Sequence, residues 1–256
     1  MSNSGISYDA NFKLRVACGA VPGWTRLRKF GMNDAVNGSS TLEDCWPPGT
    51  IRVLPSAAAV VAVSSDSPDD DADPAGTGAW TVTIEGLNDN GREISETVSL
   101  NGTSTVNTTA SFYRINRAYV VTAGTGEVNA GNISMSIGGD LQAYIEDSEG
   151  QTHQTLYTVP SNKYLLIDSY YARVGRIAGT ADANVYGQIK LNAPNSAWRT
   201  ISDIYLASGG VHQNPADVTV IPPFTELRMQ IRSSATTQLT GIFSGYLVET
   251  RYFGGI

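Results

Sequence analysis

The sequence has few charged side chains. They make up 16% of its 256 residues, whereas a typical soluble domain carries about 25%. Gly, Ser, Thr and Asn take their place, a composition that favours turns and the outer faces of sheets. The net charge is −7, and the nearest approach to a basic cluster is Arg26, Arg28 and Lys29. Because phosphate binding needs clustered Lys and Arg, we expect no nucleic-acid partner.

Cysteine and histidine are equally scarce, with two of each. Cys18 and Cys45 have no companion His at zinc-ligand spacing, so no metal site is predicted. The redox state of the pair stays open between two buried thiols and a disulfide formed outside a cell. His153 and His212 lack a nucleophile motif nearby, and we expect both at the surface. The sequence therefore predicts no catalytic residue, no cofactor and no enzymatic activity.

Long apolar runs are also missing. The longest, residues 57–63, falls well short of the roughly 18 residues of a membrane helix. The first residues, MSNSGISYDANFK, do not combine a basic region with an apolar core, so no secretion signal is predicted. We expect a protein made in the cytoplasm and without a membrane partner.

What the sequence does contain is two-residue periodicity, from about residue 50 to the end. The stretch 81–102, TVTIEGLNDNGREISETVSLNG, predicts a β-hairpin that turns at Asn90-Gly91, where positive φ is tolerated. The segment ELRMQIR alternates most clearly. It predicts Leu227, Met229 and Ile231 facing inward, with Arg228, Gln230 and Arg232 facing outward.

The predicted fold class is all-β, with two β-sandwich or jelly-roll-like domains and an N-terminal arm. The connector IEDSEGQ (residues 145–151) separates a domain at 51–145 from a domain at 146–256. Residues 1–50 form the arm, with Trp24 and Trp46 beside turn residues. The arm either docks on another subunit or packs within its own chain, and the sequence leaves both open.

The acidic loop at 66–73 has the alternating Asp69, Asp71 and Asp73 of a calcium loop. The sixth position is Pro74 where an EF-hand needs Gly, and the twelfth is Trp80 where it needs Glu. We therefore predict a solvated, mobile loop, with calcium binding left open.

A carbohydrate-active protein is the alternative from another class. Glu85 and Glu96 flank the predicted hairpin and could approach one another as a glycosidase pair. Like charges opposed in a sheet are, however, typical of two carboxylates in water. A glycan-binding surface would use tyrosine platforms, for which the candidates are the pairs Tyr170 with Tyr171 and Tyr113 with Tyr119.

The runs IEGLNDNGREISETVSLNGTSTVNT, FYRINRAYVVTAGTGEVNAGNISMSIGG and EGQTHQTLYTVPSNKYLLI resemble β-rich virion proteins of tailed bacteriophages, marine ones especially. The resemblance covers residues 80–170 best, and it rests on turns and strands. It implies a virion component: a capsid decoration (cement) protein acting as a trimer, or a tail or head-fibre module for host adsorption. The implied partners are copies of the chain itself, the major capsid protein or other virion proteins, and host surface glycans in the fibre interpretation.

Overall fold

The computed structural model describes residues 11–39, 41–175, 184–193, 196–206, 209–213 and 217–253. Strands dominate these ranges, and the helices within them are the short α1 (Phe12–Ala17) and α2 (Thr250–Phe253). The predicted all-β sandwich class is confirmed. The helices in the described ranges are also too short to cross a lipid bilayer.

Every pairing between the strands is antiparallel. In chain order they are β1 (Trp24–Val36), β2 (Glu43–Asp44), β3 (Ala59–Ser65), β4 (Ala79–Leu87), β5 (Glu93–Ser99), β6 (Val106–Phe112), β7 (Arg114–Ala123), β8 (Ile133–Ile137), β9 (Asp140–Ile145), β10 (Leu156–Thr158), β11 (Lys163–Gly175), β12 (Val185–Asn192), β13 (Arg199–Leu206), β14 (Gly209–Gln213), β15 (Thr219–Ile221), β16 (Glu226–Ser233) and β17 (Thr237–Glu249).

The first sandwich in the chain packs two sheets around one apolar core. One sheet has the order β6-β3-β8-β9 and the other β5-β4-β7. Strands of both sheets contribute the core, which includes Val63, Ile84, Ile115 and Met135. The predicted hairpin is present as β4 and β5, and Gly91 in its turn has φ +66°. We call these sheets the β3–β9 sandwich.

The second sandwich has the sheet orders β1-β17-β11-β14, with β15 also on β11, and β10-β16-β12-β13, with β2 also on β16. Its core includes Ile167, Ile189, Met229 and Phe243. Alternate residues of β12 face this core, as two-residue periodicity requires. We call these sheets the β10–β17 sandwich, and it includes the early strands β1 and β2.

The described part of the first fifty residues packs within its own chain. Strand β1 pairs with β17 along most of its length, and β2 pairs with β16. Phe12 of α1 and Trp24 pack against Tyr246 on the outer face of that sheet. Trp46 is fully buried. Of the two interpretations of the predicted arm, packing in the same chain is therefore observed, whereas the domain boundaries at 50/51 and 145/146 stay predictions.

Candidate functional site

A band of buried charged and amide side chains lies where the two sandwiches meet, and we call this band the seam. At its centre the Nε of Arg114, on β7, donates to the Oε1 of Glu226, on β16. The hydroxyl of Thr158 donates to the other carboxylate oxygen at 2.6 Å. Both Arg114 and Glu226 are less than a tenth exposed. One ion pair thus joins strands of the two sandwiches out of reach of water.

Asp44 continues the seam with no exposed surface. Its carboxylate accepts hydrogen bonds from Arg228 Nη1 at 3.3 Å, from Gln230 Nε2 at 2.9 Å and from the backbone N–H of Arg52 at 2.8 Å. The prediction that Arg228 and Gln230 face outward is wrong. Both faces of β16 are buried from Glu226 to Ile231, and the polar side chains of its second face bond Asp44 and Thr158, while Arg232 is exposed.

Arg52 and Asn116 tie the seam to backbone groups. The Nη1 of Arg52 donates to the carbonyls of Ile115 and Gln142 in the β3–β9 sandwich, at 3.2 and 3.3 Å. Burial lowers the pKa of Arg52 to about 10, and nearby Glu226 opposes the shift. The side chain of Asn116 bonds both backbone groups of Thr158, at 2.9 and 2.8 Å. The seam is therefore a layer of polar side chains whose hydrogen bonds join the β3–β9 sandwich to the β10–β17 sandwich.

Such a layer resists hinging between the sandwiches. Removing one partner of a buried ion pair leaves an uncompensated charge, which typically costs about 3–5 kcal/mol. Any motion that separates β7 from β16 would have to break the Arg114–Glu226 pair in this way. The buried contacts of the seam consequently oppose separation of the two sandwiches.

Beside the seam, a cleft of about 820 Å³ opens between β1 and the β4–β5 hairpin. Its lining includes Arg26–Phe30, Glu85–Gly86, Glu93–Ser95, Asn116–Arg117, Gln151–Thr152, Tyr157 and Leu247. Ligand sites occur preferentially at such boundaries between packed units, and they commonly have volumes of about 300–1,000 Å³. The cleft is the main candidate site of the described structure.

Lys29 is a strongly perturbed basic group of the cleft. Its ammonium donates to the backbone carbonyl of Asn116 at 2.5 Å, again across the two sandwiches. Burial, with smaller contributions from Arg52 and Arg117, lowers the pKa of Lys29 to about 7, while Glu85 acts in the opposite direction. Lys29 therefore changes charge near neutral pH. In the sequence, Lys29 stands out only as one of three nearby basic residues, with Arg26 and Arg28.

The other charges of the cleft differ in how they are paired. Arg26 Nη1 lies 2.7 Å from Asp168 Oδ2, and Lys163 Nζ lies 2.6 Å from Glu93 Oε2. Arg117 donates to the amide oxygen of Gln151 at 3.2 Å. Arg28 is exposed and, among the described residues, makes no such pair. Arg28 is thus an exposed cation of the cleft without an ion-pair partner among the described residues.

The proposed carboxylate pair of a glycosidase does not form. Glu85 is paired with Ser95 across the hairpin, and Glu96 is paired with Ile84. Neighbouring register positions face opposite sides of a sheet, so the two carboxylates point apart. Glu96 instead accepts the backbone N–H groups of Thr109 and Ala110 at 2.7 and 2.8 Å. Its role is to fasten β5 to β6.

The two histidines lie in different environments. His212 is exposed on β14, as predicted. The prediction for His153 is wrong, because its side chain is buried and its ring packs edge-on against Phe30 at 4.8 Å. Burial lowers its pKa, and Glu149, 3.6 Å away, partly opposes the shift. The polar sequence around His153 does not predict its burial. The burial arises because residues 152–160 run beneath other elements and are buried throughout.

The acidic loop is organised around one carboxylate, so its prediction as a mobile loop is wrong for Asp70. Asp70 is fully buried and accepts four hydrogen bonds. The donors are Ser65 Oγ at 2.6 Å, Ala79 N at 2.7 Å, Ala130 N at 2.7 Å and Gly131 N at 3.1 Å. Within the described residues, no group of three or more His, Cys, Asp or Glu side chains could hold a metal ion.

Three of the four tyrosines predicted as platforms for a glycan are buried or in contact with an arginine. Tyr170 is buried and cannot stack on a sugar, while Tyr113 and Tyr119 are each covered by an arginine, Arg114 and Arg117 respectively.

Both cysteines are free thiols in the structure. Cys45 is buried, which raises its pKa to about 12, whereas Cys18 is exposed, contrary to the expectation of two buried thiols.

A shallow groove of about 620 Å³ lies at the far end of the β3–β9 sandwich. Trp80 lines it with Asp69, Thr77 and Thr125. The indole N–H donates to the carbonyl of Gly76 at 2.8 Å, which fixes the ring. The sequence does not predict this groove, because turns of the folded chain bring its residues close to one another.

No model of a known protein family matches the sequence, and no curated protein matches it either. Among solved structures, the chain is similar to infectious bursal disease virus, Gx strain, with 12% identity, 91% of this chain and 73% of that chain covered, and a TM-score of 0.26. It is also similar to the STIV MCP, with 8% identity, 90% and 100% covered, and a TM-score of 0.24. For the VP2 subviral particle of infectious bursal disease virus the values are 10%, 91% and 74%, and 0.23. Similarity this low establishes neither a shared fold nor a shared function.

Proposed function

We propose that this chain is a non-enzymatic structural protein of a tailed-bacteriophage virion, and that it decorates the head exterior as a trimer that stabilises the capsid. Its partners are copies of itself and the major capsid protein or other virion proteins. The observation that carries the proposal is the seam, which joins two sandwiches through the buried Arg114–Glu226 pair. A rigid body loses less conformational freedom on docking than a hinged one, so more of its contact energy appears as affinity.

The exposed sheet faces support the same role. On β5 the outward residues Ser95, Thr97 and Ser99 carry hydroxyl side chains and follow the exposed Glu93 at the start of the strand. On the neighbouring strand Thr81 shares a hydrogen bond of 2.6 Å with Thr122. Protein interfaces are depleted of charged residues at their centres, because desolvating a charge is costly. Faces built from short hydroxyl side chains bury with little such cost.

Mass measurement of the purified protein, followed by its titration onto empty capsids, tests the proposal. We expect a trimer in solution and saturable binding to the capsid exterior. A protein that binds tails or fibres of intact particles but not capsids would replace decoration with the tail or head-fibre role. Absence from particles altogether would overturn the proposal.

A glycan-binding role, suited to host adsorption by a tail or fibre module, is the second candidate, and the Trp80 groove favours it. A fixed indole ring beside a carboxylate and two hydroxyls offers both the stacking surface and the polar contacts that a sugar needs. A glycan-binding screen of the wild type and of Trp80→Ala tests this role. Binding that Trp80→Ala abolishes supports it, and absence of binding in the wild type removes it.

A further inference from the structure

Strand β1 lies at the edge of its sheet, and the backbone groups on its outer side follow a fixed alternation. The backbone N–H of Glu249 donates to the carbonyl of Gly23 at 2.9 Å. In an antiparallel pair the bonded residues alternate, so Gly23 and every second residue after it form their backbone hydrogen bonds with β17. The residues between them point their N–H and C=O groups away from β17. Met32, for example, donates to His153 O at 3.4 Å on the opposite side.

By this alternation, the outward groups of Arg26, Arg28 and Phe30 face the cleft. Across the ranges that the structure describes, no further strand pairs with β1 there and no loop bonds those three amides. At about 3.3 Å per residue, Arg26 to Phe30 presents roughly 13 Å of unpaired strand edge. Since the cleft holds about 820 Å³ along this edge, there is room for an extended chain.

The charges at this edge identify the chemistry of the occupant. Arg28 is exposed without an ion-pair partner among the described residues, and Lys29 lies beside it on the inner side of the strand. The cleft lining holds four basic residues, Arg26, Arg28, Lys29 and Arg117, against the two carboxylates Glu85 and Glu93, on a protein whose net charge is −7. An acidic partner would be drawn to the edge and repelled by most of the remaining surface.

A second copy of this chain does not fit the edge. Pairing β1 with β1 of another copy would bring like charges together around Arg28, which destabilises a strand pair. The acidic loop of another copy is held in its own turns, since Asp66 bonds both the backbone and the side chain of Asn132, and Asp70 is buried. That loop is therefore not available as an extended strand.

We propose that the free edge of β1 binds an extended acidic segment of a different polypeptide, which joins the sheet as an additional strand. This inference rests on the proposed function, in which another virion protein supplies the segment. Alternate residues of the segment lie beside Arg26 and Arg28 and are acidic. The residues between them face Leu27, Tyr157 and Leu247 and are apolar. Backbone hydrogen bonds to β1 supply affinity, and the charges set the register.

Titration of a synthetic peptide tests the inference. The probe is the peptide acetyl-Thr-Glu-Val-Glu-Val-Glu-Thr-amide. Its binding is measured by NMR of the labelled protein at low salt. We expect saturable binding with the largest shifts at the amides of residues 26, 28 and 30. Replacing the three Glu by Gln should weaken binding about tenfold, as should Arg28→Glu in the protein, because each removes charge-assisted contacts.

Arg199→Glu is the matched control, because Arg199 is exposed on β13 and lies outside the cleft. It makes the same change in net charge and should leave peptide binding unchanged. Equal binding by wild type and Arg28→Glu, or shifts located away from β1, would overturn the inference. Capsid titration of the wild type separates the two proposals: attachment to capsids without peptide binding contradicts only the inference, whereas peptide binding without attachment to particles contradicts the proposed function.

Discussion

Glu226 and Arg114 come from strands more than a hundred positions apart in the sequence, and together they close the centre of the seam. Around them, Asp44, Arg52 and Arg228 form a second set of buried charges that share hydrogen bonds. Burying charges in this way adds little net stability compared with apolar packing, but it makes separation costly. Loss of one partner of such a pair should therefore weaken the contact between the sandwiches.

Arg114→Leu should destabilise the protein by about 3–5 kcal/mol, because it leaves the Glu226 carboxylate buried without its cation. Adding Glu226→Leu should recover a substantial part of that loss. Chemical denaturation of the two variants measures both effects. Arg199→Leu, at an exposed position, is the control and should change the free energy of unfolding by no more than about 0.5 kcal/mol. A cost for Arg114→Leu no greater than that of the control would contradict the role of the ion pair.

Lys29 gives stability a dependence on pH. Its folded pKa is about 7, whereas in the unfolded chain the pKa is about 10.4. Between these values the unfolded state binds more protons, so the free energy of unfolding should rise with pH by up to about 1.4 kcal/mol per unit. Lys29→Met should reduce this slope.

Denaturation of the wild type and Lys29→Met at several pH values from 7 to 9 measures the difference in slope. This window lies below the range in which Arg52, with a folded pKa of about 10, loses its proton. Equal slopes for the two proteins would show that Lys29 is not held largely neutral in the folded state.

At the scale of elements, two-residue periodicity predicts where the strands lie, but it does not predict whether their second faces are buried. In β12 the periodicity agrees with the burial of alternate residues. In β16 the same kind of pattern fails, because Arg228 and Gln230 on the polar face are buried and bond the carboxylate of Asp44. A local pattern reports one face of a strand, while the bonding partner on the other face lies nearly two hundred positions away in the sequence.

The β4–β5 hairpin shows how an element predicted from sequence acquires a tertiary role. Its turn residue Gly91 has φ +66°, and a Cβ there would lie 2.1 Å from the ring of Phe224. The carbonyl of Gly91 also accepts the N–H of Ser161 at 2.8 Å. The turn therefore docks on the β10–β17 sandwich, which the Asn-Gly signal alone does not predict.

Gly91→Ala should be more destabilising than Gly138→Ala. Both positions have positive φ, but the space around Gly138 is open, so its substitution carries only the backbone strain of about 1–2 kcal/mol. The contact with Phe224 should add about 1 kcal/mol or more at Gly91. Thermal or chemical denaturation of the two variants measures the difference, and equal losses would place the hairpin turn away from Phe224.

At the scale of the whole molecule, the sequence predicts two sandwiches but not their connection. Arg114 and Glu226, like Lys29 and Asn116, become neighbours only after both sandwiches have formed. The cleft depends on the same arrangement, because one wall comes from β1 and the other from the β4–β5 hairpin. The buried seam and the cleft are thus properties of the assembled pair, and the proposed role in a virion rests on the seam.

Native-state hydrogen exchange tests that central claim most directly. If the seam makes one body, the slowest amides of the β3–β9 sandwich and of the β10–β17 sandwich should share one opening free energy, equal to the global free energy of unfolding. In Arg114→Leu the two values should separate. Two distinct opening free energies in the wild-type protein would contradict the account.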